Sequence, residues 1–388
     1  MQESETAWSD VARDEANIER PKGRKPLAGN DLSSETNARY MLISREQQRY
    51  KVIDGEKTAA GAFFTRGASW LTAPVRAFLE EHMAANRHVL DPFAGDGDIL
   101  DCLRARYDID THGYDLNGSD WPINDSLLSV PNPRRAVICT NPPYLAKHSA
   151  KRKGLWGDVH QYYERHYDLY ELAMERSMEH APAGVFIVPE TFLHSAFPKR
   201  SLRLASVILD NPFTDTENPV CVACFDKHGA SHVSEGSIYV GDEYACHISR
   251  IDRALYRTGR DRSVSFNDAD GNVALKAIDG TDPDDRIRFE RPDAFYYGSS
   301  KIKVSSRLLT YIRVEALGSS SLNDFLFLAN ETLTRFREDT NDLILSPFKG
   351  NNKQGRRRRR LDYALARYII AESLKRMDSC PQRQGTLF

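Results

Sequence analysis

Long apolar runs are missing from this sequence. Nowhere does it approach the ~18 consecutive apolar residues of a membrane-spanning helix. Met1-Gln2-Glu3-Ser4-Glu5 is acidic where a secretory signal needs a basic and then an apolar stretch, so no signal peptide is expected. Cysteine is scarce: 6 residues scattered through 388, which excludes a disulfide-scaffold protein and fits a reducing compartment. Cys221-x-x-Cys224 with His228 has no second close-spaced pair. Residues three apart on a strand face opposite sides, so no metal site is expected there. Strong charge of one sign is also lacking, with a net charge of −2. That near-balance hides an asymmetry. From Gly229 onward 26 Lys and Arg face 22 Asp and Glu, leaving a basic C-terminal part in an otherwise acidic chain. Such a balance permits a polyanionic partner without requiring one.

What is present reads as a globular chain of two domains. Residues 1–40 are polar and poor in aliphatics, an extension outside any core. From about Thr72 to Met83 the spacing of Val75, Phe78 and Leu79 predicts a helix. Arg87–Asp91 reads as a strand, Pro92-Phe93-Ala94-Gly95-Asp96-Gly97 as a tight turn, and Asp98–Tyr107 as a helix. Glycines at 95 and 97 let backbone approach a ligand closely. The third glycine of the G-x-G-x-x-G dinucleotide fingerprint is missing. Thr111–Asp115 reads as the second strand. It ends on an acidic residue 20 positions past Gly95, the distance at which a carboxylate holds ribose hydroxyls. Ala136–Cys139 is a third apolar strand, running into Asn141-Pro142-Pro143-Tyr144. Two prolines cannot join a sheet ladder. The chain must therefore leave the sheet here, holding an amide and an aromatic ring at the C-terminal edge, where open α/β sheets bind ligands.

Beyond the tetrapeptide, residues 147–154 have the composition of a loop carrying Lys147, Lys151, Arg152 and Lys153. A helix is expected over Tyr163–His180, with Tyr167, Tyr170, Met174 and Met178 as its core face. Val185–Val188, Leu204–Leu209 and Val220–Phe225 read as strands, the last two a hairpin closing one edge of the sheet. After residue 228 the composition changes. Phe295-Tyr296-Tyr297 is followed by Lys301 and Lys303, and Arg356, Arg357, Arg358, Arg359 and Arg360 form an unbroken run before a helix expected at Leu361–Lys375. Like charge stacked at a helix start is unfavourable, so phosphate contact is expected for this run and for the lysines behind the tetrapeptide.

Taken together, a Phe-Phe-Thr segment, Asp-Pro-Phe-Ala-Gly-Asp-Gly after a strand, Asp115, Asn124-Asp125-Ser126-Leu127-Leu128 and Asn-Pro-Pro-Tyr after a strand resemble the S-adenosylmethionine-dependent amino-methyltransferases of DNA. The likeness is greatest to N6-adenine enzymes with a C-terminal target-recognition domain, common in restriction-modification systems. It covers about residues 55–228. It implies an α/β, Rossmann-like class I methyltransferase sheet, mostly parallel with an antiparallel edge hairpin, plus a smaller C-terminal α+β domain. The implied division is a catalytic domain at 41–228 and a recognition domain at 229–388. The resemblance assigns Phe64, Thr65, Asp91, Phe93, Gly95 and Gly97 to the methionine and sugar end of the cofactor. It gives Asp115, with Leu116, to the ribose, and Asp125, with Ser126, to the adenine. The family usually has proline after Thr65, where this chain has Arg66.

Asn141 and the Pro142 carbonyl would accept the hydrogens of the target amino group, Pro143 would complete the turn, and Tyr144 would stack on a flipped base, with Phe213 on its other face. Direct transfer without a metal is implied. Double-stranded DNA is the implied partner, with a cognate restriction endonuclease encoded alongside and a cytoplasmic location in a prokaryote or phage. Adenine and cytosine amino groups both suit such a site. Three other readings carry the same tetrapeptide: protein-glutamine methyltransferases, ribosomal-RNA guanine methyltransferases, and an inactive methyltransferase fold that only binds nucleic acid.

Overall fold

The computed structural model describes residues 67–86, 88–117, 120–210, 212, 218–227, 236–256, 263–294 and 308–379. The N-terminal extension, Phe64, Thr65, Phe213, His228 and the segment 295–303 lie outside the described residues.

Helix α1 (Ala73–Ala85) starts with proline at its second position and buries Val75, Phe78 and Leu79, the face its periodicity predicts. The chain then enters strand β1 (His88–Asp91), the glycine turn, helix α2 (Asp98–Arg104), strand β2 (Asp110–Gly113) and strand β3 (Ala136–Thr140). All five residues of β3 are buried. Helix α3 (Lys147–Arg152) and a single turn at Trp156–Val159 lead to helix α4 (Leu169–Met178) and strand β4 (Ala183–Pro189). Strands β5 (Leu202–Val207), β6 (Val220–Asp226), β7 (Ser237–Val240) and β8 (Glu243–His247) complete an eight-stranded sheet in the order β2-β1-β3-β4-β6-β5-β7-β8.

The pairs β2/β1, β1/β3, β3/β4 and β5/β7 are parallel, while β6 runs antiparallel to both its neighbours and β8 antiparallel to β7. This is the expected α/β class: its central strands β3, β4 and β6 are continuous apolar runs buried on both faces, of the kind a helix-covered sheet requires. The β5/β6 hairpin is present but does not close an edge. Its second strand inserts beside β4, and pairing continues across residue 229 into β7 and β8.

Three further expectations are corrected. Residues 147–152 are helix rather than loop. Helix α4 begins at Leu169, six residues later than expected, because Asp168 and Glu171 form a capping box there. Tyr167 therefore falls before the helix and is 56% exposed rather than core, whereas Tyr170 and Met174 are buried. The arginine run does not start a helix: Arg357–Arg360 is a strand.

Helix α5 (Ile248–Tyr256) follows the large sheet. A second sheet is antiparallel in the order β11-β10-β12-β9, from β9 (Val264–Phe266), β10 (Val273–Lys276), β11 (Arg288–Glu290) and β12 (Leu309–Val314). Helix α6 (Leu322–Asp339), the ribbon β13 (Ser346–Asn351)/β14 (Arg357–Arg360) and helix α7 (Tyr363–Ser379) follow. Phe289, Ile312, Phe325, Leu365 and Ile369 form a core of their own beside that of the large sheet. Gly350 and Gly355, both at positive φ, turn the chain so that the arginines pair back on β13. Asp362 then caps α7, its Oδ1 accepting from Leu365 N at 2.9 Å.

Polar contacts join this region to the large sheet just past β4. Arg359 is ion-paired with Glu190, both buried, and His194 Nε2 donates to the Leu343 carbonyl at 2.8 Å. Among the described residues no helix is long and apolar enough to cross a membrane.

Candidate functional site

In this strand order the chain runs outward from β1 to β2 on one side and returns to β3 on the other. The crevice of such a sheet opens at the carboxyl ends of the two strands flanking that reversal, here β1 and β3. Asp91 ends β1, and Asn141 follows Thr140 at the end of β3. The two ends are tied together: Thr140 Oγ1 donates to Asp91 Oδ1 at 2.5 Å, and Phe93 N donates to the same oxygen at 3.0 Å. Asp91 is fully buried. Desolvation raises its pKa to about 7, with Asp115 adding to the rise and the Thr140 and Phe93 bonds opposing it.

The turn after β1 is built as its glycines require. Gly95 and Gly97 have φ of 54° and 87°. A Cβ on Gly97 would stand 3.0 Å from the Trp121 ring, so glycine is needed there for the backbone angle and for the indole beside it. Trp121 also donates from Nε1 to the Gly95 carbonyl at 3.1 Å. Asp115 closes the turn from the other side. Its Oδ2 accepts from Gly95 N at 2.9 Å, and its Oδ1 accepts from Asn117 N at 2.9 Å. Leu116 beside it is half-buried. Asp125 accepts from Leu127 N at 3.1 Å on Oδ1 and from the Tyr162 hydroxyl at 2.8 Å on Oδ2, while Ser126 is buried. Phe93 packs against the small core of Leu127, Leu145 and Tyr163 next to Asp125. Asp91, Phe93, Gly95, Gly97, Asp115, Leu116, Asp125 and Ser126 are thus brought along one edge of the sheet.

The tetrapeptide leaves β3 without ladder bonds. Asn141 and Pro143 are half-buried and Pro142 is buried. Tyr144 is 9% exposed and belongs to the main core, its ring edge-on to Tyr170 at 6.4 Å. Little of the ring expected to stack on a base is open in this structure. Its hydroxyl lies 2.5 Å from Asn141 Oδ1 and 2.6 Å from the Ile187 carbonyl of β4. Downstream the chain is pinned to the start of α4. Leu145 N donates to Asp168 Oδ1 at 2.9 Å, and Lys147 N to the Tyr167 carbonyl at 2.8 Å. Burial raises the Asp168 pKa to about 7 as well.

Lys151, Arg152 and Lys153 are exposed at the end of α3. Lys147 and Lys151 stand over the Trp156 ring at 5.6 and 5.1 Å. The arginine strand is less uniform than expected. Arg356 is exposed, Arg357 and Arg360 are half-buried, and Arg358 lies over Phe348 with Nε donating to the Asp279 carbonyl at 2.8 Å. Arg359 is turned inward to Glu190, so its guanidinium is engaged inside the protein and cannot meet a phosphate.

The sequence reading did not single out Thr140, Trp121, Tyr162 or Asp168. For Asp168 a local signal existed, the Asp-x-x-Glu capping pattern. The other three depend on contacts between distant segments.

Residues 135–212 match the family model of the Eco57I restriction-modification methylases. The match takes in β3, the tetrapeptide, α3, α4, β4 and β5, about a fifth of the chain. No curated protein matches. Among solved structures, a protein of Listeria monocytogenes described as a candidate class I S-adenosylmethionine-dependent methyltransferase is 17% identical. It has a TM-score of 0.33 and covers 51% of this chain and 72% of its own. A type I restriction-modification methyltransferase subunit of Streptococcus thermophilus is 15% identical, with a TM-score of 0.33 over 51% of this chain and 49% of its own. A DrdV–DNA complex is 13% identical, with a TM-score of 0.30 over 60% of this chain and 32% of its own. The chain thus spans about half and a third of the length of the last two.

Proposed function

We propose that this chain is an S-adenosylmethionine-dependent DNA amino-methyltransferase, acting on adenine N6 as the modification enzyme of a restriction-modification system. One observation carries the reading: Asn141-Pro142-Pro143-Tyr144 stands at the end of β3, across the crevice from the glycine turn that ends β1, with Thr140 and Asp91 bonded between them. The match of residues 135–212 to restriction-modification methylases supports it.

The carboxylates fit the cofactor's chemistry. Each carboxylate oxygen has two acceptor sites, so Asp115 can hold the turn through Gly95 and Asn117 and still accept ribose hydroxyls. Asp125, steadied by Tyr162, can likewise accept from an adenine amino group. Asp91 with Phe93 would adjoin the methionine end, together with Phe64 and Thr65. When bound, S-adenosylmethionine supplies an electrophilic methyl group.

The target amino nitrogen is a poor nucleophile because its lone pair is delocalised into the base. An acceptor at Asn141 Oδ1 and another at the Pro142 carbonyl would take its two hydrogens and favour a pyramidal nitrogen. Positioning and polarisation carry such a reaction, with no covalent enzyme intermediate. A base inside a duplex cannot reach the crevice and would be flipped into it. Lys147, Lys151, Arg152, Lys153 and the outward arginines near Arg356 would meet phosphates, with Phe213 the candidate for a second ring against the base.

The test is methyl transfer from labelled S-adenosylmethionine to double-stranded DNA, ribosomal RNA and release-factor protein, with the methylated base sequenced. Labelled N6-methyladenine at a fixed DNA sequence is expected. N4-methylcytosine would correct the base, and transfer only to RNA or protein would overturn the DNA reading.

A further inference from the structure

Glycine takes positive φ as readily as negative, so a turn with φ of 54° at Gly95 and 87° at Gly97 does not hold its own shape. Both backbone polar groups of Gly95 are gripped from outside the turn. Its N–H donates to Asp115 Oδ2 at 2.9 Å, and its carbonyl accepts from Trp121 Nε1 at 3.1 Å. The two gripping side chains come from one stretch of chain whose ends are drawn together. Asp115 N donates to the Pro122 carbonyl at 3.3 Å, and Asn124 N donates to the Asp115 carbonyl at 3.0 Å. The indole is itself seated. A Cβ on Gly113 would stand 2.6 Å from its ring and one on Gly97 3.0 Å, so the ring fills the space beside two glycines. Arg104 lies over the ring, its guanidinium carbon 5.6 Å from the centroid. Phenylalanine could fill much of that space, but it has nothing to donate to a carbonyl.

We infer that Trp121 is a positioning residue for the cofactor: its indole N–H, acting on Gly95 opposite Asp115, sets the glycine turn in its receiving shape before S-adenosylmethionine arrives. The cofactor half of this inference rests on the proposed function, whereas the hydrogen bond does not. A turn left free would have to be ordered on binding, and that ordering would be subtracted from the affinity. Freeing it would also loosen Asp115, which holds the same glycine and is the carboxylate offered to the ribose. A role confined to packing needs the ring alone.

Replacing Trp121 by benzothienylalanine in the full chain separates the two, because sulfur takes the place of the N–H in a ring of the same shape. Trp121→Phe is the second variant. In protein labelled with ¹⁵N-tryptophan, the indole signal of Trp121 is identified among those of the 4 tryptophans by its loss in Trp121→Phe. In the wild type it is expected to exchange with water about 10-fold or more slowly than a free indole. Calorimetric affinity for S-adenosylmethionine is expected to fall ~5-fold or more in both variants, the scale of one hydrogen bond. The unfolding midpoint of the benzothienyl protein should stay near wild type. A fast-exchanging Trp121 indole in the wild type, or a benzothienyl protein that binds S-adenosylmethionine as the wild type does, would overturn the inference. A loss of affinity matched by a fall in the unfolding midpoint would reduce Trp121 to a packing residue and overturn it as well. If the wild type binds no S-adenosylmethionine, the functional reading fails, the cofactor half of the inference with it, and the indole signal alone decides the hydrogen bond.

Discussion

Asn141 and Asp91 sit on facing strand ends with different tasks, and each can be tested alone. Asn141→Ala removes an acceptor from the reacting group while leaving the glycine turn and its carboxylates in place. Transfer should drop by ~10²–10³, the loss typical of one key polar group, with cofactor binding by calorimetry nearly intact. More than a tenth of the wild-type rate would remove Asn141 from the catalytic centre. Asp91 is a matter of protons. Folding raises its pKa from 3.8 to about 7, so the native state holds a proton that the unfolded chain releases across that window. The stability this group contributes is present below pH ~4 and lost as pH rises through 7. Asp91→Asn cannot ionise, and its Oδ1 can still accept from Thr140 and Phe93. Urea unfolding at pH 5 and pH 8 should therefore show the variant gaining on the wild type at the higher pH. These strand-end residues were legible in the sequence because their signals are local: two prolines forbid a ladder, and two glycines permit positive φ. Thr140 was not, since its partner lies 49 positions away and is fixed only by the register of β1 on β3. Tyr162 beside Asp125, 37 positions apart, is the same case.

At the scale of elements, β14 shows why composition alone misjudged the arginine run. Charge repulsion argues against five arginines at a helix start. A strand relieves it, because successive side chains point to opposite faces. Arg359 goes in to Glu190, while its neighbour Arg358 lies along Phe348. The run thus divides into a structural part and an outward part. Replacing the exposed Arg356 by Gln should weaken DNA binding across all sequences. It should also reduce the slope of log affinity against log salt by about 1, near one unit for each phosphate no longer neutralised. An unchanged slope would take Arg356 out of the interface. Helix α4 holds the converse lesson. Apolar period predicted its inward residues Tyr170 and Met174, but the capping pair Asp168 and Glu171 decided where it starts, and Tyr167 fell outside.

For the whole molecule, the large sheet and the C-terminal sheet meet at the end of β4, the strand whose Ile187 carbonyl holds Tyr144. Glu190, Arg359, His194 and Leu343 make that joint. Behind it Asp279 accepts from Arg337 at 3.1 and 3.0 Å and from Arg359 N at 3.2 Å, so buried Arg359 is held from both sides. Breaking one half of a buried pair leaves the other charge uncompensated, at a cost of about 3–5 kcal/mol. Arg359→Met should lower the urea midpoint accordingly, and adding Glu190→Met should restore much of it. A double variant no more stable than the single one would mean that the pair does not couple the two regions. None of this was visible in sequence, where Glu190 and Arg359 stand 169 positions apart.

The place of β6 has a consequence for how the chain is made. Synthesis delivers β4 first and β5 next, yet β4 pairs with β6, the strand that comes after both. Until residue 226 has left the ribosome, β4 presents an apolar, unpaired edge, including Val185 and Ile187, to solvent or to a chaperone. Such an edge is a template for other strands. The strand that carries the tyrosine's anchor is therefore also where an unfinished chain is most exposed to misassembly, and β6 is what removes that hazard.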